Sequence, residues 1–481
     1  MKKSNVITNY IYNTAYQLLN LLTPLITAPY ISRVLGASGV GIYSYAQSIA
    51  TYFVLIGEVG TTIYGLREVA YVQDDPEKRS QLFWQITLFR LCTVLICTVL
   101  YFFTFGIRGE YNLISQILTI EVAAAALDVS WFFSGMENFR VTVVRNALIK
   151  LIGIVLIFML VKTESDLPVY ALCMTVPILI GNASLWVSLP KYLVKVKVNF
   201  RGILKHLKPA LILFVPQLAI EIYTVLDKTM LGIFGSDIAQ VGYYTQAERV
   251  VRISLQIITS LGTVMLPAMS YALSKGELET VKKSIKQAFQ FVYMIGFAIL
   301  FGIIAIADRF VPLFFGDGFA PVSYLMIVLS PILILSGTSN VIGHQYLLPT
   351  KQQAAYTVSV ITGTVVNVIL NIILITRFNA VGASVATVIA EFSVTLVQIL
   401  FVRKQLNFKE CLTPALKYFL CGFIMGFIVY VMGRLLGPGW GGLILQISAG
   451  IVIYLVELII TKDKMLQMGL NVISERFSSK K

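Results

Sequence analysis

Residues 40–47 read Val-Gly-Ile-Tyr-Ser-Tyr-Ala-Gln, and residues 241–248 read Val-Gly-Tyr-Tyr-Thr-Gln-Ala-Glu. Val, Gly, Tyr and Ala recur in register, Ser is matched by Thr, and Gln is matched by Glu. A Leu-Gly pair precedes each copy, at Leu35-Gly36 and Leu231-Gly232. Each copy lies where one long apolar run gives way to the next. Two similar membrane halves built around one axis are typical of transporters whose central site opens to either side.

The composition indicates a membrane protein. Of the 481 residues, 57% are hydrophobic and 13% are charged, against about 25% charged in an average soluble domain. The start of the chain is too polar for the core of a secretory signal, so we expect the first span to be retained. The five cysteines show no disulfide or metal-ligand pattern. Neither of the two histidines has the neighbours of a metal site or a nucleophilic triad.

The apolar runs predict an all-α membrane protein with about fourteen transmembrane helices. A span needs about 20 predominantly apolar residues. The span at 207–232 carries Glu221, Asp227 and Lys228, and the span at 242–274 carries Glu248, Arg249 and Arg252. The predicted spans are 5–31, 41–70, 80–105, 112–135, 141–161, 167–189, 207–232, 242–274, 284–306, 320–342, 353–376, 381–402, 413–433 and 441–461.

Lys and Arg are distributed unevenly between the predicted loops. With the N-terminus in the cytoplasm, the loops and tail on that side carry 24 of them, and the outer loops carry 6. This distribution satisfies the positive-inside rule and predicts that both termini are cytoplasmic. The net charge of +14 therefore reflects topology rather than nucleic-acid binding. The basic stretch 191–206 is expected to anchor the chain at the inner leaflet, with a regulatory or partner-binding role as the alternative.

Several charged side chains lie inside or at the edges of the predicted spans, where one charge at the bilayer centre costs about 2.5–3.5 kcal/mol on insertion scales. They are expected to face an aqueous cavity or one another. The third and fifth spans contain only cations, whereas acids collect in the fourth and seventh. A cationic pocket inside a helix bundle would bind phosphate well, because Arg offers paired donors to its oxygens. The candidate substrate-binding residues are Arg67, Arg90, Arg145, Lys150, Lys228, Arg249 and Arg252.

Each of these cations has an alternative role that involves no substrate. Arg67 lies near the cytoplasmic end of its span and is able to snorkel. The others have acids within reach in the sequence or in a neighbouring span. These alternative pairs are Arg90, Arg145 and Lys150 with Glu121 and Asp128, Arg252 with Glu248, and Lys228 with Glu221 or Asp227.

Several motifs resemble those of a known transporter family. Residues 32–47, Ser-Arg-Val-Leu-Gly-Ala-Ser-Gly-Val-Gly-Ile-Tyr-Ser-Tyr-Ala-Gln, resemble the first hairpin of Wzx-type polysaccharide flippases. These proteins belong to the multidrug/oligosaccharidyl-lipid/polysaccharide exporter superfamily. The stretches 64–68, 74–78, 367–371 and 382–387 resemble the same family, in order and spacing, so the resemblance covers essentially the whole chain.

The resemblance implies a fold of two pseudo-symmetric six-helix lobes plus two C-terminal helices. The corresponding segments would be an N-lobe at 1–190, a basic linker at 191–206, a C-lobe at 207–404, and the last two helices with a cytoplasmic tail at 405–481. It also implies transport by alternating access in a bacterial cell membrane. The cargo would be an undecaprenyl-diphosphate-linked oligosaccharide, moved from the inner to the outer leaflet for capsule, O-antigen or a related polymer.

The resemblance further implies that cavity cations engage the diphosphate, and that a proton or sodium gradient drives transport without a bound cofactor. Asp128 and Glu121 are the candidate coupling acids, with ion pairing as the alternative for each. Membrane lipids, the lipid-linked oligosaccharide and polysaccharide polymerase machinery are the expected partners. No bond is made or broken in such transport, so no enzyme activity is expected.

Two other functions are compatible with a chain of this kind. A multidrug exporter of the same superfamily would need an acidic or apolar cavity for cationic drugs, and the cations in spans three and five argue against it. A membrane polysaccharide polymerase or ligase typically carries one large outer loop with catalytic residues. Every outer loop predicted here is short, and the repeat has no obvious use in such an enzyme.

Overall fold

The computed structural model describes residues 3–197 and 200–468, and every regular element in those ranges is helical. The structure divides into two compact units, one extending to Gly242 and the other beginning at Tyr243. The helices of the first unit are α1 (Lys3–Glu58), α2 (Thr61–Tyr71), α3 (Pro76–Tyr101), α4 (Asn112–Ala124), α5 (Ser130–Gly135), α6 (Phe139–Leu160), α7 (Leu167–Trp186), α8 (Phe200–Ile203) and α9 (Leu207–Phe234).

The tenth helix begins in the first unit and continues into the second. Within the second unit, the eleventh helix packs along the fifteenth, the fifteenth against the sixteenth, and the thirteenth against the fourteenth. The remaining helices are α10 (Ala239–Ser274), α11 (Leu278–Phe315), α12 (Pro321–Leu329), α13 (Ile332–Ile342), α14 (Gln353–Val402), α15 (Phe408–Leu435) and α16 (Trp440–Ile460).

The predicted all-α membrane fold is confirmed. Ten helical stretches in the described part of the chain are long and apolar enough to cross a membrane. Two of them, Leu22–Tyr71 and Gln353–Val402, are 50 residues long. The first covers the end of the predicted span 5–31 and all of 41–70, and the second covers 353–376 and 381–402. The ten stretches therefore account for twelve of the fourteen spans. The other two predicted spans coincide with α9 and α10.

Two of the predicted loops between spans are single-residue kinks. Gly36 interrupts α1 with φ 67° and ψ 179°, and Asn379 interrupts α14 with φ 49° and ψ −129°. A positive φ costs glycine little, because it has no Cβ. Asn is among the residues other than glycine that accept a positive φ most often. Each kink turns one long helical run into two successive spans.

Two predicted spans of the first unit contain a break in the helix. The span at 41–70 is interrupted because α1 ends at Glu58, and Val59 (φ 46°) and Gly60 (φ 69°) separate it from α2. The span at 112–135 is interrupted because α4 tightens into a 3₁₀ turn at Ala125–Leu127 before α5 begins. Both breaks lie beside an acidic residue, and both position side chains of the candidate site.

The first unit extends beyond the predicted N-lobe, because α9 packs against α1 and α2. The predicted segments follow the symmetry of the sequence, and they stay a prediction. They are 1–190, 191–206, 207–404 and 405–481. Val198 and Asn199 of the basic linker, and residues 469–481 of the predicted tail, lie outside the described residues.

Two glycines of the repeated sequence meet within the first unit. A Cβ added to Gly41 would lie 2.1 Å from the carbonyl oxygen of Ile238, and a Cβ added to Gly242 would lie 2.1 Å from that of Ala37. The added Cβ of each glycine would also lie 3.2 Å from the backbone nitrogen of the other. The repeat is therefore preserved at a point where two helices touch through their backbones.

An aromatic core holds α2, α3 and α5 together. Phe83, Trp131 and Phe132 are at most 1% exposed and stack or meet edge to face, with ring centroids 5.1–6.2 Å apart. Gly65 of α2 packs so closely on Trp131 that a Cβ would lie 2.4 Å from the indole ring. Replacing a core aromatic by Ala typically costs about 3–5 kcal/mol. This core fixes the position of α2, and with it the break at Val59 and Gly60.

Candidate functional site

Arg90 lies at the centre of a buried charged cluster in the first unit. It is on α3, and its side chain is 1% exposed. Its Nη2 donates to Glu58 Oε1, its Nη1 donates to Thr62 Oγ1 at 3.1 Å, and its Nε donates to the carbonyl oxygen of Ala125 at 2.9 Å. A buried guanidinium with this many acceptors is satisfied by the protein itself.

Arg145 and Asp128 extend this cluster. Asp128 Oδ2 lies 3.9 Å from Arg90 Nη2, and Asp128 Oδ1 lies 3.5 Å from Arg145 Nη2. Arg145 Nη1 also donates to Asn182 Oδ1 at 3.0 Å, and Asn182 Nδ2 donates to the carbonyl oxygen of Ala124 at 2.8 Å. The arrangement joins α1, α3, α4, α6 and α7 through one network of alternating charge. We call these five residues, Glu58, Arg90, Asp128, Arg145 and Asn182, the buried charge network.

The two helix breaks position the network. Glu58 is the last residue of α1, where the chain turns, and its carboxylate also accepts a hydrogen bond from Thr62 Oγ1 at 3.2 Å. The 3₁₀ turn at Ala125–Leu127 directs the Ala125 carbonyl to Arg90. Asp128 follows in extended conformation, and its Oδ1 accepts from the backbone N–H of Ser130 at 2.9 Å, at the start of α5.

The other predicted residues of the first unit lie in different surroundings. Glu121 is on α4, and its side-chain hydrogen-bond partner is Gln47 of α1. Lys150 lies on α6 and is half-buried. Arg67 is exposed and paired with Glu68 at 2.8 Å. Lys228 lies on α9 and is half-buried.

The predicted cations of the second unit share α10. Arg252 Nε lies 2.6 Å from Glu248 Oε1, one helical turn away, and the Arg252 side chain remains 34% exposed. Arg249 Nη1 donates to Gln246 Oε1 at 3.1 Å. The pairing of Glu248 with Arg252 is the alternative that the i, i+4 spacing predicts. Arg252 is thus compensated, yet more accessible than Arg90.

Sequence reasoning missed one partner of Arg90. The predicted pairing of Arg90 with Asp128 is confirmed at 3.9 Å, but Arg90 makes its shorter contact with Glu58 from the end of α1, which was not predicted. Glu58 is recognisable in the sequence as an acid within an apolar run, which is a signal for a buried contact. Asn182 gave no comparable signal, because a neutral amide within a span is compatible with many contacts.

A protein-family model matches residues 6–273, more than half of the chain, and its description is "Polysaccharide biosynthesis protein". This chain belongs to that family. The chain is 24% identical over 400 residues to a curated relative, a putative O-antigen transporter of Escherichia coli strain K12. That match covers 82% of this chain and 96% of the relative. A probable low-salt glycan biosynthesis flippase of Haloferax volcanii, Agl15, is 30% identical over 168 residues, 35% of each chain.

Solved structures from two groups of transporters have the same fold as this chain. The lipid II flippase MurJ, in an inward closed conformation, superposes with a TM-score of 0.76 at 18% identity, over 95% of this chain and 99% of that one. A multidrug resistance MATE family transporter, in an inward-facing conformation, superposes with a TM-score of 0.59 at 16% identity. That match covers 80% of this chain and 94% of the transporter. At these identities the likeness establishes the fold alone. The predicted transporter fold is thereby confirmed.

Proposed function

We propose that this protein is a flippase that translocates lipid-linked oligosaccharides across a cell membrane. The observation that carries this conclusion is the family match over residues 6–273, together with a curated relative named as an O-antigen transporter along 96% of its own length. A multi-pass helical protein with charged side chains held inside its helices is suited to this task. A phosphorylated glycan cannot cross hydrocarbon unaided, because burying its charges and hydroxyls without partners is too costly.

The finer proposal concerns cargo and direction. The cargo would be an undecaprenyl-diphosphate-linked repeat unit, carried from the inner to the outer leaflet by alternating access, for O-antigen, capsule or a related polymer. The polyprenyl tail would remain in lipid while the head crosses through a hydrated path. The step makes and breaks no bond, so we propose no enzymatic activity. Polysaccharide polymerase machinery would take up the product.

The contacts distinguish roles among the candidate cations. Arg90 is satisfied by Glu58, Thr62 and Ala125 at 1% exposure, so we assign it to positioning the buried charge network rather than to the diphosphate. Arg145 and Arg252 are 13% and 34% exposed, and a phosphate would compete there with a carboxylate already in place. Arg67 is the most peripheral candidate. The proposed diphosphate contacts remain Arg145, Lys150, Lys228, Arg249 and Arg252.

Coupling to a proton or sodium gradient is proposed for one of two acids. Asp128 lies between two arginines, 3.5 and 3.9 Å from their nitrogens, and forms ion pairs with both. Glu121 has an amide rather than a cation beside it. Glu121 is therefore the better candidate for a group that gains and loses a proton during transport, and Asp128 the better candidate for a structural ion-pair partner.

Drug export remains the second candidate, because a MATE transporter shares the fold. The cations in spans three and five do not decide between the two functions, since Arg90 pairs with Glu58 and Arg145 lies beside Asp128. The family match favours glycan transport. A deletion strain with unchanged surface polysaccharide and increased drug sensitivity would favour export of drugs.

The proposed function is tested in a strain from which the gene is deleted. We expect lipid-linked oligosaccharide to accumulate in the membrane and surface polysaccharide to disappear, and the wild-type gene to reverse both. Arg249→Gln should restore surface polysaccharide on the order of tenfold less well, because one charged hydrogen bond is worth about 1.5–3 kcal/mol. Arg403→Gln is the matched control, since Arg403 is exposed beyond the end of α14. Normal polysaccharide in the deletion strain would refute the proposal.

A further inference from the structure

A groove of about 770 Å³ runs between α6 and α7 in the first unit. Its apolar walls include Val144, Leu148 and Ile152 of α6 and Ile180 of α7, which are 41%, 53%, 51% and 63% exposed. Its floor is closed by a tight helix contact, because a Cβ added to Gly181 would lie 1.9 Å from the side chain of Ile149. The volume is typical of a small-molecule site.

The polar residues of this groove all lie at one end. That end is formed by the start of α6 and the end of α7, and the positive-inside rule places it in the cytoplasm. Arg140 is exposed there, and the Arg145 side chain, which is 13% exposed, also lines the groove. The polar lining residues are Asn138, Arg140, Arg145, Ser184 and Ser188. A groove that is cationic at one end and apolar along the rest matches an amphiphile with an anionic head.

The length of the groove indicates which amphiphile it fits. From Arg145 to Leu156, the α6 wall rises by about 17 Å, at about 1.5 Å per residue. One leaflet of a bilayer contributes about 15 Å of hydrocarbon, half of the usual 30 Å. An acyl chain of a phospholipid is therefore matched in length, whereas a long polyprenyl chain would extend well beyond the groove.

We propose that the α6–α7 groove binds an anionic phospholipid of the inner leaflet, with its phosphate between Arg140 and Arg145 and one acyl chain along the groove. Basic pockets between transmembrane helices at the cytoplasmic side bind anionic head groups in this manner. The site shares Arg145 with the proposed diphosphate contacts, whereas Arg140 and the apolar walls belong to the groove alone. It also touches the buried charge network, since Arg145 donates to Asn182 and lies 3.5 Å from Asp128.

Native mass spectrometry of the full-length protein tests the proposal, with mixed micelles containing either dioleoyl phosphatidylglycerol or dioleoyl phosphatidylcholine. We expect one phosphatidylglycerol to be retained under activation that removes phosphatidylcholine. Arg140→Gln should weaken its retention about fivefold, the effect of one basic side chain near a lipid head group. Ile180→Trp should abolish retention by filling the groove. The matched controls are Arg403→Gln and Leu151→Trp, the latter 48% exposed on α6 but outside the groove.

Several results would overturn the proposal. The first is equal retention of the two phospholipids by the wild type. The second is equal loss in a groove variant and its control, or undiminished retention in Ile180→Trp. In a further arm, polyprenyl phosphate competes with phosphatidylglycerol. If it displaces phosphatidylglycerol from the wild type, and its own binding is lost in Ile180→Trp, the groove belongs to the cargo rather than to a phospholipid.

Discussion

At the scale of single residues, the ion pair of Arg90 with Glu58 is the most consequential contact in the first unit. Removing one partner of a buried pair leaves an uncompensated charge, which typically costs about 3–5 kcal/mol. We expect Arg90→Ala to destabilise the protein by that order, and Arg90→Met combined with Glu58→Gln to recover most of the loss. Thermal unfolding of purified protein in detergent measures both changes.

The control for this experiment is Arg403→Ala, which removes an exposed arginine and should leave the unfolding temperature unchanged. If Arg90→Ala unfolds at the wild-type temperature and yet abolishes transport, Arg90 binds cargo and its assignment as a positioning residue is wrong.

His206 predicts a dependence of stability on pH. It lies just before α9 and is 8% exposed, with Nδ1 2.7 Å from Tyr64 Oη and Nε2 3.0 Å from Gln85 Oε1. Burial lowers the pKa of His206 below 6.5; Glu68 opposes this shift and Lys205 adds to it. A depressed pKa means that the folded state favours neutral imidazole. Stability is therefore full above about pH 6.5 and decreases as the pH falls towards the folded-state pKa.

The measurement is the unfolding temperature between pH 7.5 and 5.5 for the wild type and for His206→Gln, which keeps hydrogen-bonding capacity without titrating. We expect the wild type to lose more stability than the variant over this range. Parallel curves for the two proteins would show that His206 does not contribute.

The sequence identifies the charged residues within apolar runs, because the free-energy cost of placing a charge in lipid makes any such residue unusual. Their partners were found only in part. Glu248 and Arg252 lie on one helix, so the 3.6-residue period predicts their contact. Arg90 and Glu58 lie on different helices, and their contact depends on the break after α1, which no local pattern determined.

At the scale of secondary-structure elements, the contact of Gly41 with Gly242 leaves no room for a Cβ at either residue. Ala normally stabilises a helix relative to Gly by up to about 1 kcal/mol. At Gly41 or Gly242, the added Cβ would lie 2.1 Å from a carbonyl oxygen. Forced overpacking of this kind typically costs about 1–3 kcal/mol. We therefore expect Gly41→Ala and Gly242→Ala each to lower the unfolding temperature.

Gly302 of α11 is the matched control, because a Cβ added there would have no other atom within 4 Å. Gly302→Ala should leave the unfolding temperature unchanged or raise it. An equal effect at Gly41, Gly242 and Gly302 would mean that the repeated glycines reflect ancestry alone, with no requirement for close helix packing.

Helix positions were predictable because the length of each apolar run and the charge of each loop are both strong signals in a membrane chain. The breaks within helices were harder to predict. Gly36 lies in a stretch that was predicted as a loop, and the chain there only kinks. The break at Val59 and Gly60 lies inside an apolar run, and it depends on α2 packing on Trp131 through Gly65. Contacts between helices distant in sequence thus decide where a long apolar run bends.

At the scale of the whole molecule, the class of protein follows from solvation. So low a fraction of charge requires lipid around most of the surface, and the few charges that remain inside must be compensated or functional. Compensation is what the structure shows for Arg90 and Arg252. The identity of the cargo does not follow from such contacts, since hydroxyl and amide groups capable of binding sugars are spread over many helices.

The most direct test of glycan translocation is a leaflet assay with purified protein in liposomes that contain a fluorescent undecaprenyl-diphosphate-linked oligosaccharide. A membrane-impermeant reagent applied outside reports how much of the glycan is accessible. We predict that the protein speeds the exchange of this lipid between leaflets, and that a phosphatidylcholine analogue bearing the same fluorophore is not moved. Exchange at the rate of protein-free liposomes, or equal movement of both lipids, would contradict the assignment as a lipid-linked oligosaccharide flippase.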